Sequence, residues 1–194
     1  MAQRQRVYLA RHGETEWSRS GRHTGRTDVP LTANGETEAQ ALGERLRGIA
    51  PALVVVSPLQ RARRTCEIAG FGARAQVEPD AIEWNYGEYE GKRSVEIYAA
   101  RPNWNLFRDG CPAGETADEV GARADRVIAR MRAQEGDALL FSHGHFLRVF
   151  AARWLGLPAD GARLFVLSTA AMCILGYEHE RVDEPAVLLW NAVR

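Results

Sequence analysis

Residues 6–17 read RVYLARHGETEW, and the order of residue types in this stretch sets the architecture. Arg6 to Ala10 combine a β-branched, an aromatic and an aliphatic side chain, the composition of a short buried strand. The run passes directly into the polar cluster Arg11-His12-Gly13-Glu14. Two other apolar runs end the same way: Leu53 to Val56 leads into Ser57-Pro58-Leu59-Gln60-Arg61, and Ala138 to Phe141 into Ser142-His143-Gly144-His145. Strands that are apolar throughout, rather than alternating, need cover on both faces, as in a parallel sheet between helices.

The segments between these runs supply that cover. Over Thr32 to Ile49, Ala39, Leu42, Leu46 and Ile49 recur at helical spacing. Ser57-Pro58 opens a helix that runs to about Gly70, a residue suited to a C-terminal cap. Thr116-Ala-Asp-Glu119 forms a capping box ahead of the apolar face Val120, Ala124, Val127, Ile128 and Met131. His145 to Leu155 reads as a helix stopped by Gly156 and Pro158. Gln76 to Glu78 is a weaker strand, and Phe165 to Leu167, Met172 to Tyr177 and Ala186 to Trp190 are strand-like. The stretch after Glu14 reads as a long loop through Pro30. Residues 80–114 are turns and aromatics, with one short helix from Ser94 to about Ala100, ended by Pro102. The expected fold is α/β, a doubly wound three-layer sandwich with a mostly parallel central sheet. One domain spans 1–194, with a ligand crevice outside the carboxyl ends of the strands.

Composition narrows the function. The chain has 194 residues, 25 basic and 25 acidic, so its formal net charge is zero. A polyanion-binding surface needs a basic surplus, so nucleic acid is not an expected partner. All the basic residues except Lys92 are arginine, the planar bidentate partner of carboxylates and phosphates. Cys66, Cys111 and Cys173 are widely spaced, without C-x-x-C ligand spacing, which argues against a disulfide framework or a metal site. The amino terminus offers no signal-peptide core, and no apolar stretch approaches the roughly 20 residues that span a bilayer. A cytoplasmic protein with no membrane partner is expected. A homodimer and a monomer are both compatible with this composition.

If the three strand ends converge, two histidines and two arginines meet in one cleft. Arginines bind phosphate oxygens through paired charge-assisted bonds, and the start of the helix at His145 adds N–H donors and the positive end of its dipole. Such a cleft suits a phosphoryl group, with a histidine as nucleophile.

Arg11 to Trp17 resembles the RHGETEW signature of the histidine phosphatase superfamily, which has the phosphoglycerate-mutase-like fold. SPLQRARRT (57–65), EWNYGEYEG (83–91), PAGET (112–116) and SHGHFLR (142–148) appear in the family's order and span most of the chain. The resemblance implies that His12 takes the phosphoryl group on a ring nitrogen, and that Arg11, Arg61 and His143 surround it and stabilise its charge. It implies that Glu83 protonates the leaving alcohol and then activates water, a role that needs the protonated carboxyl and would favour an acidic optimum. Ser18, Thr24, Gly25, Trp84, Tyr86, Gly144 and His145 fall where relatives contact substrate. Ser18 stands where the family often has asparagine, which reaches further. The stretches TEWSRSGRHTGRTDVPLT, RPNWNLFRDG and HGHFLRVFAARWLGL look most like the branch with sedoheptulose-bisphosphatase-type enzymes and mycobacterial-type acid phosphatases.

The expected activity is that of a phosphatase acting on a small phosphorylated metabolite, such as a sugar phosphate or bisphosphate, with no metal and no other cofactor. A phosphoglycerate mutase is the alternative, although Ser94 stands where mutases of this fold carry a lysine. A silent phospholigand-binding module is a third reading, which the presence of both His12 and Glu83 opposes. Other residues read more plainly. His23 and His179 read as histidines without a functional role, and Arg63 and Arg64 as facing solvent or acidic partners rather than phosphate. His145 is open between a pocket role and a helix N-terminus. Arg93, Arg101 and Arg108 either meet a second anion or face solvent, and Cys111 is a candidate for the pocket rim.

Overall fold

The computed structural model describes residues 5–194. Six strands form one sheet: β1 (Val7–Arg11), β2 (Leu53–Val56), β3 (Ala75–Val77), β4 (Ala138–Ser142), β5 (Met172–Tyr177) and β6 (Pro185–Ala192). Their order is β3-β2-β4-β1-β5-β6, with β1 to β4 mutually parallel and β5 and β6 antiparallel at one side. This is the mostly parallel sheet that the uninterrupted apolar runs demand.

Side chains alternate across each strand and so divide the core into two layers. Val7, Leu9, Val55 and Leu140 face helices α6 (Ala117–Arg132) and α7 (Gly144–Trp154), through Val120, Ala124, Val127, Phe146 and Phe150. Tyr8, Val54, Leu139 and Phe141 face α2 (Ala33–Arg45) and α3 (Gln60–Ile68), through Leu42, Ala62 and Cys66. Burying each such Val, Leu or Phe contributes about 1.5–3 kcal/mol, so truncating Leu140 to alanine would cost about 2–5 kcal/mol once its cavity is included. The Thr116–Glu119 capping box forms as expected. The threonine hydroxyl accepts from Glu119 N–H, and the glutamate carboxylate accepts from Thr116 N–H at 2.8 Å.

Three local expectations fail. Residues 165–167 form no strand, and Val166 is 72% exposed. This segment instead packs the Phe165 ring on Trp190, with centroids 4.9 Å apart. The loop after β1 contains a short helix, α1 (Glu16–Ser20), closed by a reciprocal Thr15–Ser18 cap. Two short helices rather than one interrupt the 80–114 stretch, α4 (Ser94–Ala100) and α5 (Leu106–Asp109). Asn105 starts the second by accepting from Phe107 and Arg108 N–H. No described helix is long and apolar enough to cross a membrane.

Register positions the site. Arg11 pairs with Ser142, and Val56 with Phe141, so the residues that come after β1, β2 and β4 emerge side by side at their carboxyl ends.

Candidate active site

His12 lies immediately after β1 and is 4% exposed. Its Nδ1–H donates to the Gly13 carbonyl at 2.7 Å; a carbonyl only accepts, so the neutral ring keeps its lone pair on Nε2. Burial, then the charges of Arg61 and Arg11, push this imidazole well below the ordinary histidine value. The unprotonated form that attack requires is therefore the resting form.

A cavity of about 240 Å³ opens over His12, lined also by Arg11, Glu83, Tyr86, Gly144 and His145. That is below the roughly 300–1,000 Å³ of drug-sized ligand sites and suits a small metabolite. Arg11 donates from Nη1 to the Leu167 carbonyl at 2.5 Å, and its buried Nε has no partner among the described residues. The guanidinium lies on the first residue of α7: a Cβ at Gly144 would be 3.2 Å from Arg11 Cζ. Glu83 meets the same first turn of the helix. Its Oε1 accepts from Trp84 N–H (2.9 Å) and Phe146 N–H (2.8 Å), and its Oε2 from His145 N–H (3.1 Å). The helix N-terminus thus orients the carboxylate.

Arg61 and His143 are placed differently from the sequence expectation. Both are fully buried and neither lines the cavity. Arg61 Nε–H donates to His143 Nδ1 (3.2 Å), while its Nη atoms donate to the carbonyls of Thr27 (2.9 Å), Thr24 (3.1 Å) and Gly25 (2.9 Å). His143 then carries its proton on Nε2 and donates to Ser57 Oγ at 2.6 Å. Burial and the charge of Arg61 hold its imidazole well below the usual value. With ring centroids 5.2 Å apart, His143 sits behind His12, and the Arg61 charge acts on the site from beneath.

The residues expected to contact substrate divide in the same manner. Ser18, Thr24, Tyr86, Gly144 and His145 line the cavity; Gly25 and Trp84 do not. The Ser18 hydroxyl is engaged in the Thr15 cap. Gly25 is packed so closely that a Cβ would lie 2.4 Å from the Trp84 carbonyl oxygen. Trp84 is a core residue, bonded through Nε1 to the Glu115 carbonyl and packed edge-on against Phe107. Tyr86 and His145 share a 2.5 Å hydrogen bond. Burial, then the Arg148 charge, lowers the His145 pKa, and burial raises that of Tyr86.

Sequence reasoning missed His23 and Arg148, both on the cavity wall together with Arg22 and Ser94. Arg148 lies one helical turn after His145, a spacing that puts both on one face of α7 and could have flagged it. Conversely, Arg93 binds Glu96, Arg108 binds Asp109, and Arg101 meets the Tyr89 hydroxyl, and none of the three lines this cavity. Cys111 does not line the cavity, and burial pushes its thiol up to about 12. Among the described residues, no cluster of three or more His, Cys, Asp or Glu could hold a metal ion.

Residues 7–193 match the family model described as the histidine phosphatase superfamily (branch 1). An acid phosphatase of Mycobacterium tuberculosis is 41% identical over 90% of this chain and 87% of its own length. A sedoheptulose 1,7-bisphosphatase of Saccharomyces cerevisiae is 32% identical over 95% and 92%. Relatives named probable phosphoglycerate mutase match as well, that of Citrobacter koseri at 35% identity over 89% and 85%. The solved structure of an open reading frame from Mycobacterium tuberculosis superposes with a TM-score of 0.91 at 37% identity, covering 96% of this chain and 97% of the other.

Proposed function

The chain belongs to the histidine phosphatase superfamily, and on that footing we propose that it hydrolyses small phosphomonoesters through a phosphohistidine on His12. His12 Nε2 attacks phosphorus and the P–O bond to the alcohol breaks. The Glu83 carboxyl gives its proton to the departing oxygen. Water then attacks the phosphohistidine, Glu83 takes the water proton, and the P–N bond breaks to release orthophosphate and neutral His12. Arg11 on the wall and Arg61 beneath the floor stabilise the phosphoryl charge, which is where positioning and electrostatics do most of the work in phosphoryl transfer.

One observation carries this reading: the Gly13 carbonyl fixes the His12 tautomer so that the lone pair is on Nε2, in a cavity that also holds Arg11 and Glu83. His143 and Ser57 act as a positioning pair that keeps Arg61 in place. Ser18, Thr24, Tyr86, Gly144 and His145 make up the surrounding substrate surface. The cytoplasm is the compartment this reading suits.

The test is rapid-quench labelling, in which the protein is mixed with a labelled phosphomonoester and stopped in flow with base. Label should appear on histidine, in an acid-labile and base-stable linkage, and His12→Ala should abolish both label and phosphate release while keeping its thermal transition. Turnover by His12→Ala at the wild-type rate would overturn the mechanism. Conversion of 3-phosphoglycerate to 2-phosphoglycerate without phosphate release would replace the phosphatase reading by the mutase one.

A further inference from the structure

We infer that His23 is the specificity-determining residue that accepts a hydrogen bond from a substrate hydroxyl, so that the cavity takes a phosphorylated sugar or polyol chain. This rests on the phosphatase reading and assigns the part of the cavity that does not touch phosphorus.

His23 is 9% exposed and lines the cavity. Its Nδ1 lies 2.9 Å from the carbonyl oxygen of Lys92, a pure acceptor, so Nδ1 carries a proton and Nε2 is the ring nitrogen that can accept. Among the described residues the ring's hydrogen bond is the one to Lys92, and Nε2 is not one of the fully buried atoms that lack a partner, so it is open to the cavity. The ring is rigidly held: it stands edge-on to Tyr86 (4.9 Å between centroids) and to Trp104 (5.6 Å), and lies parallel to His145 at 6.2 Å with an interplanar angle of 7°. An acceptor fixed in place and open to the cavity can exchange water for a donor on the ligand.

Chemistry selects the donor. A phosphate or carboxylate oxygen without a proton cannot donate, and an aryl group has nothing to give. An ammonium would donate, but it would enter a cavity walled by the guanidinium groups of Arg11, Arg22 and Arg148. A hydroxyl donates without charge and accepts in return. Ser94 and Arg148 line the same cavity and can serve its lone pairs; Arg148 is anchored through Nε to the Ala162 carbonyl and stacked over Phe107 at 4.5 Å. The ring faces of His23, Tyr86 and His145 offer apolar surface to the C–H side of a sugar. Acceptor, donors and flat apolar wall together describe a polyol.

The purified protein is assayed with a pentose 5-phosphate and with phenyl phosphate, and the ratio of their kcat/KM values is the readout. In His23→Phe, which keeps ring and volume but removes the acceptor, the ratio should fall about tenfold, the loss of one hydrogen bond at the site. His23→Gln, which restores an acceptor oxygen, should recover most of it. Equal loss toward both esters would show that His23 only packs the wall, and a ratio that falls equally in both variants would show that acceptance is not its role; either overturns the inference while leaving the phosphatase intact. A wild-type protein that hydrolyses neither ester would overturn the proposed function itself.

Discussion

A Cβ on Gly13 would lie 2.2 Å from the carbonyl oxygen of Gly35, so the loop that carries His12 and the first turn of α2 pass backbone against backbone. The contact is reciprocal, since a Cβ on Gly35 would lie 2.1 Å from the Glu14 carbonyl oxygen. Glu38 and Thr32 complete the seam. Glu38 Oε2 accepts from Glu14 N–H at 2.8 Å, and the Thr32 hydroxyl donates to Glu14 Oε1 at 2.7 Å. The position of His12 is therefore set by a helix that contributes no residue to the cavity.

Gly35→Ala tests that dependence. Neither side of the contact is a flexible side chain, so the loop must shift and take His12 with it. Misplacing a reacting group by about 1 Å can cost about 100-fold, and kcat should fall by roughly that factor. A variant that keeps wild-type kcat would show that the seam does not hold the nucleophile.

The buried imidazoles of His12 and His143, with the half-buried one of His145, predict how stability depends on pH. His12, His143 and His145 are all held well below the ordinary value of 6.5 when folded, chiefly by burial. Below about pH 6.5 the unfolded chain takes up protons at these positions and the folded chain does not, so stability falls as pH falls. Each histidine contributes a slope of about 1.4 kcal/mol per pH unit once the unfolded form is titrated. Urea unfolding at pH 7.5 and pH 5.5 should show the loss, and orthophosphate should offset part of it if it binds the folded cavity. A stability that rises on acidification would contradict the burial of these rings.

Arg123 is expected to matter far from the reacting atoms. It binds Glu115 through Nε (2.8 Å) and Nη2 (3.0 Å), and its Nη1 donates to the carbonyls of Asp80 (2.6 Å) and Ile82 (3.0 Å), immediately before Glu83. Arg123→Met removes the two-pronged partner of Glu115, which among the described residues keeps only the Asn85 N–H at 2.7 Å and Arg26 at 3.7 Å, so the cost should stay below the about 3–5 kcal/mol of a fully orphaned buried charge. Adding Glu115→Gln should recover part of the stability. The Asp80 and Ile82 carbonyls remain unpaired in the double variant, so kcat should stay low. Chemical denaturation and steady-state kinetics read the two effects separately.

Metal removal should leave turnover intact. The cavity's polar groups are two histidines beside His12, arginines, hydroxyls and one carboxylate, a set suited to anions. Dialysis against EDTA and then assay in chelator checks this; activity lost to EDTA and restored by a divalent ion would require a different mechanism.

Much of the fold is legible in the chain itself. Uninterrupted apolar strands such as Leu53–Val56, the Thr116 capping box and the polar clusters after β1, β2 and β4 are local features, and local chemistry decides them. The short helix at Glu16–Ser20 is hidden because its cap uses a serine where the familiar box has an acidic residue. The apolar run Phe165–Leu167 misleads because side-chain contacts hold it in place of a strand ladder: Phe165 packs on Trp190, whose Nε1–H donates to the Val166 carbonyl.

The order of residues along the chain is enough to specify the layered α/β fold and to bring Arg11, His12, Arg61 and His143 to the strand ends, because strand periodicity and parallel register leave those residues little other place to go, whereas Glu83, six residues beyond β3, is marked only by the family resemblance. Which of them face the cavity is settled by packing in three dimensions. Arg61 and His143 are sealed beneath it by the carbonyls of Thr24, Gly25 and Thr27 and by Ser57, Trp84 turns into the core, and His23 turns to the wall because the Lys92 carbonyl, 69 residues away, fixes its ring. Burial and hydrogen-bond direction depend on partners distant in the chain, and no local pattern encodes them.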